Sequence, residues 1–165
     1  MWSPNGARLI FTQDVSLPVG GESRIQLIVL QVHYRSNSRI PRSGDTSGVL
    51  VSYTDTPTAK TAGVVSLHVH GSIAPYSTAL WDSACKLSGT GPIHPWAYLG
   101  HTHQYGRLVT AWRVRPSLQG DYVNATWDLV GGNNPALPQS FLMVDKNIVI
   151  NPGDKKTKTL SAWVG

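Results

Sequence analysis

Two histidines two residues apart, His101 and His103, lie inside Tyr98-Leu-Gly-His-Thr-His-Gln-Tyr-Gly-Arg107. In an extended strand such side chains share a face, with Cα atoms about 6.6 Å apart. Both rings can then converge on one metal ion and leave other coordination positions open for a reacting molecule. That is a catalytic arrangement more than a structural one, since a structural site is closed by its own ligands. His68 and His70 have the same spacing, but Val65, Leu67 and Val69 occupy the opposite parity as an apolar face. This alternation predicts that His68 and His70 point to solvent.

The other histidines are His33 and His94. His33 shares a strand face with Leu27, Val29 and Gln31, so a satisfied core imidazole and a metal ligand both remain open. Cupins also carry His-x-His on a β-barrel, but they supply a Glu a few residues later. Here Gln104, Tyr105, Gly106 and Arg107 follow. A zinc hydrolase would need a third ligand and a carboxylate base close by, and neither is evident.

Short strands joined by turns must carry these residues. The sequence has 165 residues, 41% of them hydrophobic, with 16 Gly and 11 Pro spread along its length, enough for one core built from many turns. The strand signals are 24–34, read as a central strand buried on both sides, then 47–53, 63–70, 95–103, 107–115, 121–130, 141–144 and 147–150. No helical periodicity and no repeat interrupts them. The reading is an all-β fold, an antiparallel β-sandwich of jelly-roll type, with terminal strands missing. Missing strands would leave apolar edges exposed.

Charge excludes little. The formal net charge is +5, and Lys155, Lys156 and Lys158 form the one dense cluster, read as part of a loose tail. Without a basic stripe or interleaved aromatics, nucleic acid is not an expected partner. The longest apolar run, around Leu27 to Leu30, is too short for a membrane span, and residues 1–8 lack the layout of a signal peptide. Cys85 is the sole cysteine, so these residues close no disulfide among themselves. Asn124-Ala-Thr126 is an acceptor sequon for N-glycosylation.

Several stretches in order resemble the copper-dependent monooxygenases of the peptidylglycine α-hydroxylating type. They are Val19-Gly-Gly-Glu22, Val29-Leu-Gln-Val-His-Tyr34, Ser47-Gly-Val49, Ala62-Gly63, His94, Ala97-Tyr98, His101-Thr-His103 and Gly106. Arg113-Val-Arg115, Leu137-Pro-Gln139 and Pro152-Gly153-Asp154 complete the set. Dopamine and tyramine hydroxylases share the His-Thr-His and the strand histidine, whereas Arg-Val-Arg and Leu-Pro-Gln lean towards the peptidylglycine branch. The resemblance implies a junction segment over 1–18, an incomplete second copper domain over 19–154, and a basic tail over 155–165 that does not match the family.

It also implies two coppers per full-length enzyme, ascorbate as reductant, O2 as co-substrate, and a glycine-extended peptide hydroxylated at the glycine α-carbon. His101 and His103 would be ligands of the oxygen-activating copper, and His33 a ligand of the electron-relay copper. Gln31 would sit near the route between the metals, and His94 would support the site from behind the ligands. The family cysteine matching Cys85 forms a disulfide with one further along a longer chain. A secretory vesicle or extracellular location is implied, with Asn124 as its glycan acceptor and an N-terminal copper domain as partner.

The departures are specific. No His-His pair occurs here, and the family's methionine ligand belongs to a strand beyond Asp154; Met143 sits in another segment. Leu99 stands where the family has the arginine that holds the substrate carboxylate, and leucine makes no such contact. These residues alone are therefore expected to turn over little or nothing. An amine-hydroxylating enzyme and a non-catalytic copper-binding or interaction sandwich remain the alternatives.

Overall fold

A four-stranded antiparallel sheet dominates the C-terminal part of the chain, in the order β3 (Ser77–Lys86), β8 (Lys155–Val164), β5 (Gly106–Arg115), β6 (Thr126–Asn133). The structure, a computed structural model, describes residues 8–32, 34, 36, 40, 42–46, 48–118 and 120–164, with only the backbone of 156–164. Two compact units appear within it, one spanning 10–64 and the other holding 65–165. The described residues form strands and no helix, as the turn-rich composition predicted.

In the larger unit, β5 and β6 pair from Val109↔Asn133 to Arg115↔Thr126. Their register passes from Ala111↔Gly131 to Trp112↔Leu129, so Val130 has no partner opposite it and bulges out of the ladder. Val130 is buried with Ile148 and Ile150, and Leu87, Ile93, Ala111 and Val144 pack around them. This cluster is one part of the core, and Val109 and Val114 of β5 are buried as well. The 87–93 and 148–154 segments close over the cluster, tied by reciprocal Ile93–Ile150 backbone bonds of 2.9 Å. A short pair, β4 (Ala97–Tyr98) with β7 (Leu142–Met143), lies beside it in sequence and leads directly into His101.

Arg113-Val-Arg115 and Pro152-Gly153-Asp154 hold that cover in place. Asn151-Pro-Gly-Asp154 is a β-turn closed by Asp154 N–H to the Asn151 carbonyl at 3.0 Å, with Gly153 at φ +95°. Proline and a left-handed glycine at these positions are the requirements of a type II turn. Arg115 donates Nε and Nη2 to the two Asp154 oxygens at 3.2 and 3.1 Å, a forked contact. Arg113 lies opposite Asp128 across the ladder, bonds to it, and sends Nη1 to the Val149 carbonyl at 2.9 Å. Burial alone would raise the buried Asp154 carboxyl. The Arg115 hydrogen bond, the Asn151 amide and the charges of Arg115 and Arg113 outweigh it and hold the carboxyl below its ordinary value.

Some strand expectations need correction. The 155–164 segment is no loose tail: it runs between β3 and β5 and pairs with both along its length. The β3 strand was not anticipated, because Ser-Thr-Ala-Leu-Trp-Asp-Ser-Ala-Cys-Lys carries few large apolar residues. Ser77, Ala79, Trp81 and Ser83 are nevertheless its more buried positions, an alternation of period two.

Conversely, the run read as the central strand is not one. Across 24–32 no strand forms, and Leu27 and Val29 are 79% and 82% exposed. The 48–53 stretch is likewise exposed and outside any strand, and so is 63–70 apart from half-buried Leu67 and Val69. The reason is physical: a β-branched run becomes a strand only when a neighbouring backbone takes its hydrogen bonds and an apolar layer covers one face. In the 10–64 unit the described ladder is one parallel pair, β1 (Val15–Ser16) with β2 (Lys60–Thr61). A glycine-built turn precedes the apolar run, with Gly20 N–H bonded to the Ile25 carbonyl at 2.7 Å.

Candidate metal centre

The His-x-His segment follows β4 and precedes β5, outside any strand. Its shape comes from three local requirements. Gly100 is buried, and a Cβ there would sit 2.0 Å from Asn133 Oδ1. Gly106 closes a turn by donating its N–H to the His103 carbonyl at 3.1 Å, and a Cβ there would sit 1.9 Å from Thr102 Oγ1. Thr102 turns its hydroxyl to the His103 carbonyl at 2.9 Å. The backbone between the two glycines is therefore confined.

Within that bend the His101 and His103 rings approach edge to face, with centroids 5.6 Å apart and planes at 70°. His101 is half-buried and His103 exposed, so the pair opens to solvent on one side. The expectation that the two imidazoles lie together holds, although a bend rather than a strand brings them there.

The β6–β7 connection grips this segment through two side-chain amides. Asn133 donates Nδ2 to the Gly100 carbonyl at 3.2 Å, while its buried Oδ1 has no hydrogen-bond partner among the described residues. Asn134-Pro135-Ala136-Leu137 then turns, with Leu137 N–H on the Asn134 carbonyl at 3.2 Å and Ala136 N–H on Asn134 Oδ1 at 2.9 Å. Beyond it Gln139 donates Nε2 to the carbonyls of Pro135 and Thr102, both at 2.9 Å, and its Oε1 meets His101 Nδ1. The Tyr98 hydroxyl donates to the Gly132 carbonyl at 3.1 Å, and its ring lies where a Cβ on Gly131 would be. Sequence reasoning assigned no role to Asn133 or Gln139. The Asn-Pro turn signal between them was the available hint.

The remaining candidates lie apart from this pair. His94 is exposed, next to the Ile93–Ile150 bridge. His68 and His70 are exposed beside half-buried Leu67 and Val69, but no strand runs there and Val65 of the expected apolar face is exposed too. Gln31 is exposed within the 10–64 unit, and His33 lies outside the described residues. Cys85 is an exposed free thiol on β3. Asn124 is exposed just before β6, in a turn where Asp121 Oδ1 accepts the Asn124 and Val123 amides. Those amides and the Ser117 hydroxyl keep the Asp121 carboxyl below its ordinary value.

The donor pair fits a metal in part. Two imidazoles sharing one ion at about 2.0–2.1 Å from each nitrogen have centroids roughly 4.5–6 Å apart. The observed 5.6 Å falls within that span. No group of three His, Cys, Asp or Glu side chains suited to a metal occurs among the described residues, so this pair accounts for two ligands and not a full set.

An all-β domain presenting an open His-x-His donor pair is the class of protein this geometry defines. Residues 60–159 match the family described as copper type II ascorbate-dependent monooxygenase, C-terminal domain. The chain belongs to that family. It is 34% identical over 93% of its length to peptidyl-glycine alpha-amidating monooxygenase A of Xenopus laevis, and 33% identical over 93% to the Rattus norvegicus enzyme. Identity to human dopamine beta-hydroxylase is 26%, again over 93% of the chain. The chain spans only 16%, 15% and 26% of these relatives, respectively.

Proposed function

We propose that this chain supplies the oxygen-activating half of a copper monooxygenase that hydroxylates the α-carbon of a C-terminal glycine in peptides. The carrying observation is the His101–His103 pair, held in a bend with its open side to solvent. Copper bound there would supply the one-electron and oxygen-activating chemistry, with ascorbate as reductant and O2 as co-substrate. The protein's part is positional: the Gly100 and Gly106 constraints fix the bend, and Gln139 and Asn133 hold its backbone.

In this reading His33 is a ligand of the relay copper, Gln31 lies near the route between the metals, and His94 supports the site. An N-terminal copper domain completes the enzyme. The fold is the antiparallel sandwich of jelly-roll type, and the enzyme acts in the secretory pathway or outside the cell, with Asn124 glycosylated and Cys85 at a disulfide position. Support for the peptide substrate comes from the higher identity to the peptidylglycine relatives, and from the resemblance of Arg113-Val-Arg115 and Leu137-Pro-Gln139 to that branch.

One observation favours a second reading, an amine substrate: Leu99 offers no group to bind a carboxylate. Oxygen uptake by the copper-loaded, full-length protein with ascorbate separates the two. Faster turnover of a glycine-extended peptide than of a phenethylamine is expected. The reverse order would replace the peptide reading with the amine one.

A further inference from the structure

We propose that Gln139 is a positioning residue that fixes the tautomer of His101, so that its Nε2 lone pair is the one presented to the metal. This rests on the copper reading of the pair. The amide of Gln139 is itself oriented by the backbone. Its Nε2 faces two carbonyl oxygens, those of Thr102 and Pro135, and must donate to both. A flipped amide would set its own oxygen against both carbonyls.

With that orientation settled, Oε1 is left facing His101 Nδ1. An amide oxygen only accepts, so Nδ1 carries the proton. A neutral imidazole has one lone pair, which then resides on Nε2, the far side of the ring from Gln139. Metal-binding histidines commonly have the other ring nitrogen engaged in this way, and loss of that partner weakens binding by about tenfold to a hundredfold. The same amide bonds the Thr102 carbonyl, between the two rings. It thereby sets both the protonation pattern of His101 and the backbone that spaces His101 from His103. The rigid Asn134-Pro135 turn supplies its third contact and keeps it from swinging away.

The test compares Gln139→Leu with Gln139→Glu. Glutamate keeps an acceptor for Nδ1–H and loses both donations to the carbonyls; leucine loses everything. Histidine 15N spectra of the metal-free protein, taken in mildly alkaline buffer, report the tautomer of His101 directly. Cu(II) affinity is then measured against a competing chelator. The expected result is an Nδ1–H His101 in the wild type and in Gln139→Glu, with the Glu variant binding copper more weakly than wild type, because both carbonyl contacts are lost, but more tightly than Gln139→Leu. Gln139→Leu should show a shifted tautomer and about tenfold to a hundredfold weaker binding.

Two results overturn the proposal: a wild-type His101 protonated on Nε2, or a Glu variant damaged as much as the Leu variant. The second would mean that Gln139 matters only as a brace for the loop. A Leu variant that keeps both tautomer and affinity overturns it equally. If the tautomer responds as expected while the wild type binds no copper, the hydrogen bond stands and the metal reading of the site falls.

Discussion

The 10–64 unit and the sheet unit reverse what their compositions suggest. The first contains the most apolar, β-branched run in the chain, yet Leu27, Ile28 and Val29 are largely exposed and form no strand. The second builds its sheet from β3 and β8, which are rich in Ser, Thr and Lys, flanked by the more apolar β5. Apolar content therefore marks what a segment would bury if it were covered. Whether it becomes a strand depends on a partner edge, and β8 has one on each side.

Substitutions in the two units test this contrast. Ile150→Ala removes a side chain only 3% exposed from the Val130 cluster and should cost about 3 kcal/mol in a denaturant titration. A cost below about 1 kcal/mol would mean that the cluster is not part of the core. Gly106→Ala places a methyl against Thr102 and should cost about 1–3 kcal/mol, with a loss of copper affinity as the bend opens.

Asp154→Asn should cost about 2 kcal/mol, since it weakens a forked contact to Arg115 and the Asn151 cap. The pH dependence follows the same residue. A carboxyl whose folded value is depressed contributes fully above its unfolded value, and that contribution fades as pH falls towards the folded one. Wild type should therefore lose stability on acidification below the ordinary carboxylate range, and Asp154→Asn should lose less. Equal slopes would remove Asp154 from the account.

The smallest effect belongs to the other unit. Val29→Ala should change stability by no more than about 0.5 kcal/mol, because that side chain is 82% exposed. Hydrogen exchange gives the same contrast residue by residue, with slow amides in β8 and fast ones across 24–32. Slow exchange in 24–32 would show a pairing that the contrast excludes.

How much of this could be read beforehand varies by element. The all-β character, β5 and the closeness of His101 and His103 were legible, because alternation and spacing are local properties; the hairpin arm expected over 121–130 exists but is displaced to Thr126–Asn133 by the turn at 121–124. The 77–86 and 155–164 strands were not, since each is defined by the other's edge, which sequence does not display. Arg113, Arg115 and Asp154 were visible as family anchors, and in the structure they strap the 149–154 cover to the sheet. Gln139 stood in such an anchor too, but its contact to His101 spans 38 positions and no local pattern reveals it.

The proposed function stands or falls on copper bound by the His101 and His103 imidazoles. X-ray absorption of protein loaded with Cu(II) and then dialysed tests it most directly. Retained copper with imidazole scattering, lost in His101→Ala and in His103→Ala, is the predicted result. Copper absent from the dialysed wild type, or bound unchanged in both variants, would contradict it.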